Sequence, residues 1–138
     1  VGGDATKVFK IIEDAGGVIV YLDACTGMKA YAGQFEENAQ NPYRSVSRRY
    51  LNVPCSCMTP NTRRMTELDL IIDKFQPDVV VDVVLHACHS YNVESSRVKA
   101  HVEEKHKKPF LKIETDYSQS DVGQIRTRVE ALLEMVRK

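Results

Sequence analysis

The sequence predicts an α/β domain of three layers, an open parallel sheet with helices on both faces. Segments with helical apolar spacing alternate with short aliphatic runs along the whole chain. The run Val79–Leu85 is almost entirely branched and apolar, as a strand covered on both faces must be. Near the end, Val122, Ile125, Val129, Leu132 and Val136 form one stripe of a helix whose charged residues lie elsewhere. A chain of 138 residues matches a single domain and can bury roughly two-thirds of its unfolded surface, so one core suffices.

Asp4 is placed to cap a first helix carrying Val8, Ile11 or Ile12, and Ala15, and Gly16-Gly17 offers a left-handed stop. Val18–Leu22 then reads as a short buried strand. Residues 23–40 are polar and glycine-containing, so a loop is expected there, with at most one short helix. A helix opens at Pro42 and runs to Tyr50, whereas prolines bracket residues 53–60 and exclude a regular helix. Asn61 is placed to cap a helix with Met65, Leu68, Ile71 or Ile72, and Phe75 on its apolar face, ending before Pro77. After the strand Val79–Leu85 come a helix from about Asn92 to Lys107, a strand from Phe110 to Ile113, and the last helix from about Ser120 to Lys138. The order is that of a Rossmann-like or flavodoxin-like sheet with right-handed crossovers. Such a sheet begins with a strand, but Val1-Gly2-Gly3-Asp4 reads as the loop after one, so the first strand is expected to be lacking and the chain to be a fragment of a longer subunit.

Basic and acidic residues number 19 each, which excludes the charge excess of a nucleic-acid binder or an acidic tail. No apolar run approaches the roughly 20 residues of a membrane span, and no signal-peptide pattern opens the chain, so it reads as cytoplasmic. With 43% hydrophobic residues the core needs no covalent staples, so Cys25, Cys55, Cys57 and Cys88 are read as thiols or metal ligands before disulfides.

In doubly wound sheets, ligands bind where loops leave the carboxyl ends of strands. Here those loops are residues 23–27, 86–92 and 114–117. The second is the most informative, because Cys88 stands between His86 and His89, just ahead of a helix N-terminus that favours a thiolate. Cys88 is read as a metal ligand or nucleophile, with a buried structural thiol as the alternative. His86 and His89 are more ordinary as polar loop residues than as proton-transfer groups, and His101 and His106, on a lysine-rich helix, are expected to face solvent. Cys55 and Cys57 are too close for an easy mutual disulfide, and a zinc site from Cys55, Cys57, Cys88 and His89 would require two loops to converge. Asp82, inside the apolar strand, must be paired or near an edge. Phosphate-cradle and dinucleotide glycine patterns are lacking. Arg126 and Arg128, two apart on a helix, cannot both face one anion.

Three ordered stretches carry a resemblance: Val84 to Glu94, Pro109 to Tyr117, and Gly123 to Ala131, with Arg48-Arg49-Tyr50 and Arg63 upstream. Together they resemble the C-terminal domain of the 2-hydroxyacyl-CoA dehydratase and benzoyl-CoA reductase family, in the form of a 2-hydroxyglutaryl-CoA dehydratase D-component beta subunit. The resemblance covers almost the whole chain. It implies one C-terminal α/β domain, residues 1–138, of a multidomain subunit that pairs with a second homologous subunit. It also implies a [4Fe-4S] cluster in the full-length enzyme, held through three cysteines of which Cys88 is one, and not necessarily bound by this chain alone.

The activity implied is that of a lyase of anaerobic metabolism, removing water from a 2-hydroxyacyl-CoA substrate to give an enoyl-CoA. A separate ATP-dependent iron-sulfur activator supplies the electron for this radical mechanism, with His89 or Tyr91 orienting ligands or substrate beside Cys88. The isolated chain is expected to be inactive. Neither nucleic acid nor membrane is an expected partner. An aromatic acyl-CoA reductase component and a noncatalytic electron-transfer or assembly domain are the alternative readings.

Overall fold

The structure is a computed structural model that describes residues 6–24, 27–31 and 33–137. Among these residues five helices and two strands follow one another as α1 (Thr6–Asp14), α2 (Pro42–Leu51), α3 (Thr62–Phe75), β1 (Val80–Leu85), α4 (His89–Lys105), β2 (Phe110–Thr115) and α5 (Val122–Val136), with a 3-10 turn at Met28–Ala30 before α2. The two strands are parallel, in a register that runs from Val80 beside Phe110 to Leu85 beside Thr115. Asp82 is half-buried and sits beside Lys112 in that register, an opposite charge next to it in the sheet.

Side-chain alternation along the strands places the core on both faces. Val81, Val83, Leu111 and Ile113 pack with Val8 and Ile11 of α1 and Ile125 and Val129 of α5. Val80 and Phe110 pack instead with Met65, Leu68 and Ile72 of α3 and Val98 and Val102 of α4. The α/β class predicted by the sequence thus takes the form of a parallel strand pair with helices packed against it. The ends of the elements move by a few residues: α4 starts at His89 rather than Asn92, and β2 continues to Thr115.

The strand expected at Val18–Leu22 is not formed. Among the described residues the sheet has two strands, and 18–22 has no ladder partner. Val18 is 83% exposed, while Tyr21 packs its ring 5.0 Å from that of Phe75 in α3. β1 and β2 each keep an outer edge without a ladder partner among the described residues, but 18–22 runs along neither and lies instead against α3 through Tyr21. Asn61 is a second correction: its backbone is left-handed and its side chain makes no cap. Two local readings hold. α2 opens at Pro42, with Asn41 before it accepting from the Arg44 N–H at 3.2 Å, and Gly16 leaves α1 at a φ of +84°, open to glycine without strain. The expected cap at Asp4 lies outside the described residues.

Lys7 is buried on the core side of α1. Its ammonium donates to Asp121 Oδ1 at 2.7 Å and to the Ser118 carbonyl at 2.6 Å, and Thr115 Oγ1 donates to Asp121 Oδ2 at 2.5 Å. Burial pushes the Asp121 carboxyl up, but the Lys7 and Thr115 hydrogen bonds together outweigh it and hold the group below the ordinary carboxylate range. A depressed folded pKa stabilises the fold above the unfolded value of about 3.9 and loses that contribution as acid protonates the folded carboxyl. The urea midpoint should therefore fall between about pH 5 and pH 3. Asp121→Asn should lower stability at pH 7 by about 1 kcal/mol and flatten that acid slope. An unchanged slope in the variant would assign the acid sensitivity to other carboxylates.

Candidate functional site

Parallel strands deliver their following loops to one end of the sheet, and the loop after β1 is very short. His86 N–H donates to the Thr115 carbonyl at 2.7 Å, Ala87 takes a positive φ of 64°, and Cys88 N–H donates back to Leu85 at 2.9 Å. This tight turn sets Cys88 at the N-cap of α4 with its thiol half-buried, while its carbonyl receives the Asn92 N–H. Cys88 makes no side-chain cap, so its sulfur is not spent on the helix end.

The first two turns of α4 present two polar faces. Toward β2, Glu114 accepts from Asn92 Nδ2 at 3.4 Å and lies 3.1 Å from His86 Nδ1, while Lys112 donates to Asn92 Oδ1. Toward α3, Tyr91 meets two cations, with Arg64 5.5 Å and Lys29 5.7 Å from its ring centre. Lys29 and Arg64 are only 4% and 7% exposed. Asp23 pairs with both, at 3.0 and 3.1 Å, and Glu94 Oε2 lies 3.7 Å from Arg64 Nε. Buried charges of this kind persist only when compensated, and here Asp23 and Glu94 offset Lys29 and Arg64. Gly27 permits the turn that carries Lys29 inward, because a Cβ there would lie 2.3 Å from the Leu22 carbonyl.

Asn61 connects this network to the proline-bracketed loop. Its Nδ2 donates to the Cys55 carbonyl at 2.9 Å and to Glu94 Oε1 at 2.7 Å. In that loop the Cys55 thiol is lowered from its ordinary value, first by the Cys57 backbone N–H, with burial opposing and the Cys57 side chain, Lys29 and Ser56 assisting. Alongside lies a cleft of about 500 Å³, with Arg48, Arg49 and Arg63 together with Glu36 and Glu67 among its lining residues. Arg49 is buried against the rings of Phe35 and Tyr50, at 5.6 and 5.0 Å.

Of the predicted site residues, Cys88, His89 and Tyr91 share the start of α4, His89 exposed and Tyr91 half-buried in the charge network. The described cysteines carry no disulfide, and no three of Cys55, Cys57, Cys88 and His89 bring ligand atoms together, so the converging zinc site is not formed. Cys25 lies outside the described residues. Arg126 and Arg128 part as expected, to Asp14 at 3.6 Å and to the Lys112 carbonyl at 2.6 Å. Sequence reasoning missed Lys29, Arg64 and Glu94. The signal for Arg64 was available, since it falls on the stripe of Leu68 and Ile72 at i, i+4 and i+8, where a charge needs a buried partner. The solvent-facing reading of His101 and His106 is also wrong: Asp69 of α3 draws both side chains inward.

The family model for 2-hydroxyglutaryl-CoA dehydratase, D-component, matches residues 1–136. The chain belongs to that family. It is also 46% identical over 136 residues to an Escherichia coli (strain K12) protein named "Putative dehydratase subunit YjiM", a match covering 99% of this chain and 35% of the relative. The chain thus spans about a third of the length of that relative. The resemblance carried by the Cys88, Pro109 and Gly123 stretches is thereby established at the level of family.

Proposed function

We propose that this chain is part of a 2-hydroxyacyl-CoA dehydratase, forming a C-terminal domain whose Cys88 contributes one thiolate to a [4Fe-4S] cluster. The observation that carries the reading is the position of Cys88: a half-buried thiol uninvolved in capping, at the carboxyl end of β1, in a chain of this family. The donor chemistry suits iron, but the cluster that the resemblance implies takes three cysteines, and no group of three ligating side chains that includes Cys88 forms among the described residues. The remaining ligands belong to other parts of a longer subunit in this proposal.

When bound, the cluster would supply one-electron chemistry to the thioester. The chain's own residues do the positioning. Lys29 and Arg64 hold the Tyr91 ring in place from the α3 side, and exposed His89, next to Cys88 in sequence, is available to orient the departing hydroxyl. The guanidinium groups of Arg48, Arg49 and Arg63 suit the phosphates of coenzyme A. A second homologous subunit and an ATP-dependent iron-sulfur activator complete the proposed assembly. The relative's name favours the dehydratase branch over the aromatic reductase.

The deciding experiment is anaerobic reconstitution of the full-length protein with its second subunit and activator. ATP-dependent conversion of a 2-hydroxyacyl-CoA to an enoyl-CoA is expected, with iron-sulfur absorption, and no turnover from residues 1–138 alone. Dehydration by an iron-free preparation, or consumption of benzoyl-CoA in its place, would overturn the reading.

A further inference from the structure

At the far end of α4 from Cys88, three metal-binding side chains converge outside any role considered so far. With a rise of about 1.5 Å per residue, His101 lies roughly 18 Å along the axis from His89 and His106 still further. His101 Nε2 and His106 Nε2 each lie 2.7 Å from the same oxygen, Asp69 Oδ1. The imidazole rings are inclined at 61°, with centres 5.7 Å apart, so both Nε2 atoms point at one spot from different directions. The ligand atoms of all three residues lie within 4.8 Å of one another. His106 is 9% exposed and His101 20%, which leaves the trio partly shielded with one side open to solvent.

We propose that Asp69, His101 and His106 bind a divalent transition-metal ion, zinc in preference, with two imidazoles and one carboxylate oxygen as ligands and a water in the fourth position. Zinc takes His nitrogen at about 2.0–2.1 Å and carboxylate oxygen at about 2.0–2.2 Å, and three such ligands with an open position are one of its standard arrangements. Tetrahedral ligands at those lengths stand about 3.3 Å apart, so the Nε2 to Oδ1 separations need to open by only about half an ångström. Asp69 comes from α3 and the histidines from α4 and its C-cap, so the ion would clamp the two helices that cover one face of the sheet. Lys105 Nζ donates to the other oxygen, Asp69 Oδ2, at 2.6 Å, and so leaves Oδ1 for the metal. Its charge opposes a dication, but the side chain is largely exposed and free to swing away.

Cobalt(II) titration of the full-length protein tests this, because imidazole-carboxylate and thiolate sites differ in absorption. One cobalt ion per chain is expected to give visible d–d bands without a thiolate charge-transfer band. His101→Gln, His106→Gln and Asp69→Asn should each weaken that binding by about tenfold or more. Zinc at about a hundredfold excess over its Kd should raise the unfolding midpoint by roughly 5–10 °C in the native protein and not in the variants. If a variant fails to fold, ring-nitrogen NMR of the native protein supplies the check, since zinc must shift the His101 and His106 resonances. Cobalt held only by thiolates, binding unchanged by the histidine substitutions, or histidine resonances indifferent to zinc would each overturn the proposal and leave an ion-paired Asp69 hub.

Discussion

Cys88→Ser in the full-length, anaerobically reconstituted protein is expected to lower iron and sulfide per protomer and abolish activator-dependent turnover, with the domain still folded. Serine offers iron a hard, weakly acidic oxygen where the cluster needs a soft thiolate. The substitution is nearly isosteric at a half-buried N-cap, and serine is itself a favoured capping residue, so stability should change by less than about 1 kcal/mol. A structural thiol would give the opposite pattern, a lower melting temperature with iron unchanged. Cys55→Ser is the informative comparison, because the thiolate at Cys55 is favoured by the Cys57 N–H and the charge of Lys29. Iron, sulfide, visible absorption and circular dichroism should be measured on the same preparations, with Cys25→Ser and Cys57→Ser alongside. Full iron and activity in Cys88→Ser, with loss of both in Cys55→Ser or Cys57→Ser, would move the ligand to the proline-bracketed loop.

What the sequence disclosed about this region follows from the range of the interactions involved. The stripe of α5 and the apolar run of β1 are local patterns, and both elements form where the pattern places them. Val18–Leu22 carries an equally apolar pattern but remains unpaired, because strand formation depends on a neighbour that no local pattern encodes. The position of Cys88 was legible for a related reason: strand, tight turn and helix are consecutive in sequence, so the thiol's place at the sheet end follows from their order. Tyr91's surroundings were not. Lys29 and Arg64 reach it from segments 62 and 27 residues away in sequence, and neither residue type signals burial by itself. The same holds for Asp69, which pulls His101 and His106 out of solvent across the α3–α4 boundary.

Arg64→Met should then be the most damaging substitution for stability. Methionine keeps much of the volume and the helix propensity of arginine, so the change isolates the charge. Without the guanidinium, Glu94 Oε2 loses the cation 3.7 Å away, Asp23 retains only Lys29, and Tyr91 loses one of its two cation contacts. Removing one partner of a buried ion pair costs about 3–5 kcal/mol, because the remaining charge stays desolvated. A domain of this size holds roughly 7–20 kcal/mol in all, so the melting temperature should drop by about 10–20 °C. Arg64→Lys should recover little, since a single ammonium cannot serve Asp23, Glu94 and the Pro54 carbonyl together. Adding Glu94→Gln to Arg64→Met removes the stranded carboxylate and should restore at least about 1 kcal/mol, a coupling readable from a double-mutant cycle in urea. If Arg64→Met shifts the melting temperature by under about 3 °C and the cycle shows no coupling, the network is hydrated in solution and contributes as a surface pair would. The charge network would then lose its place as the positioning element beneath the start of α4.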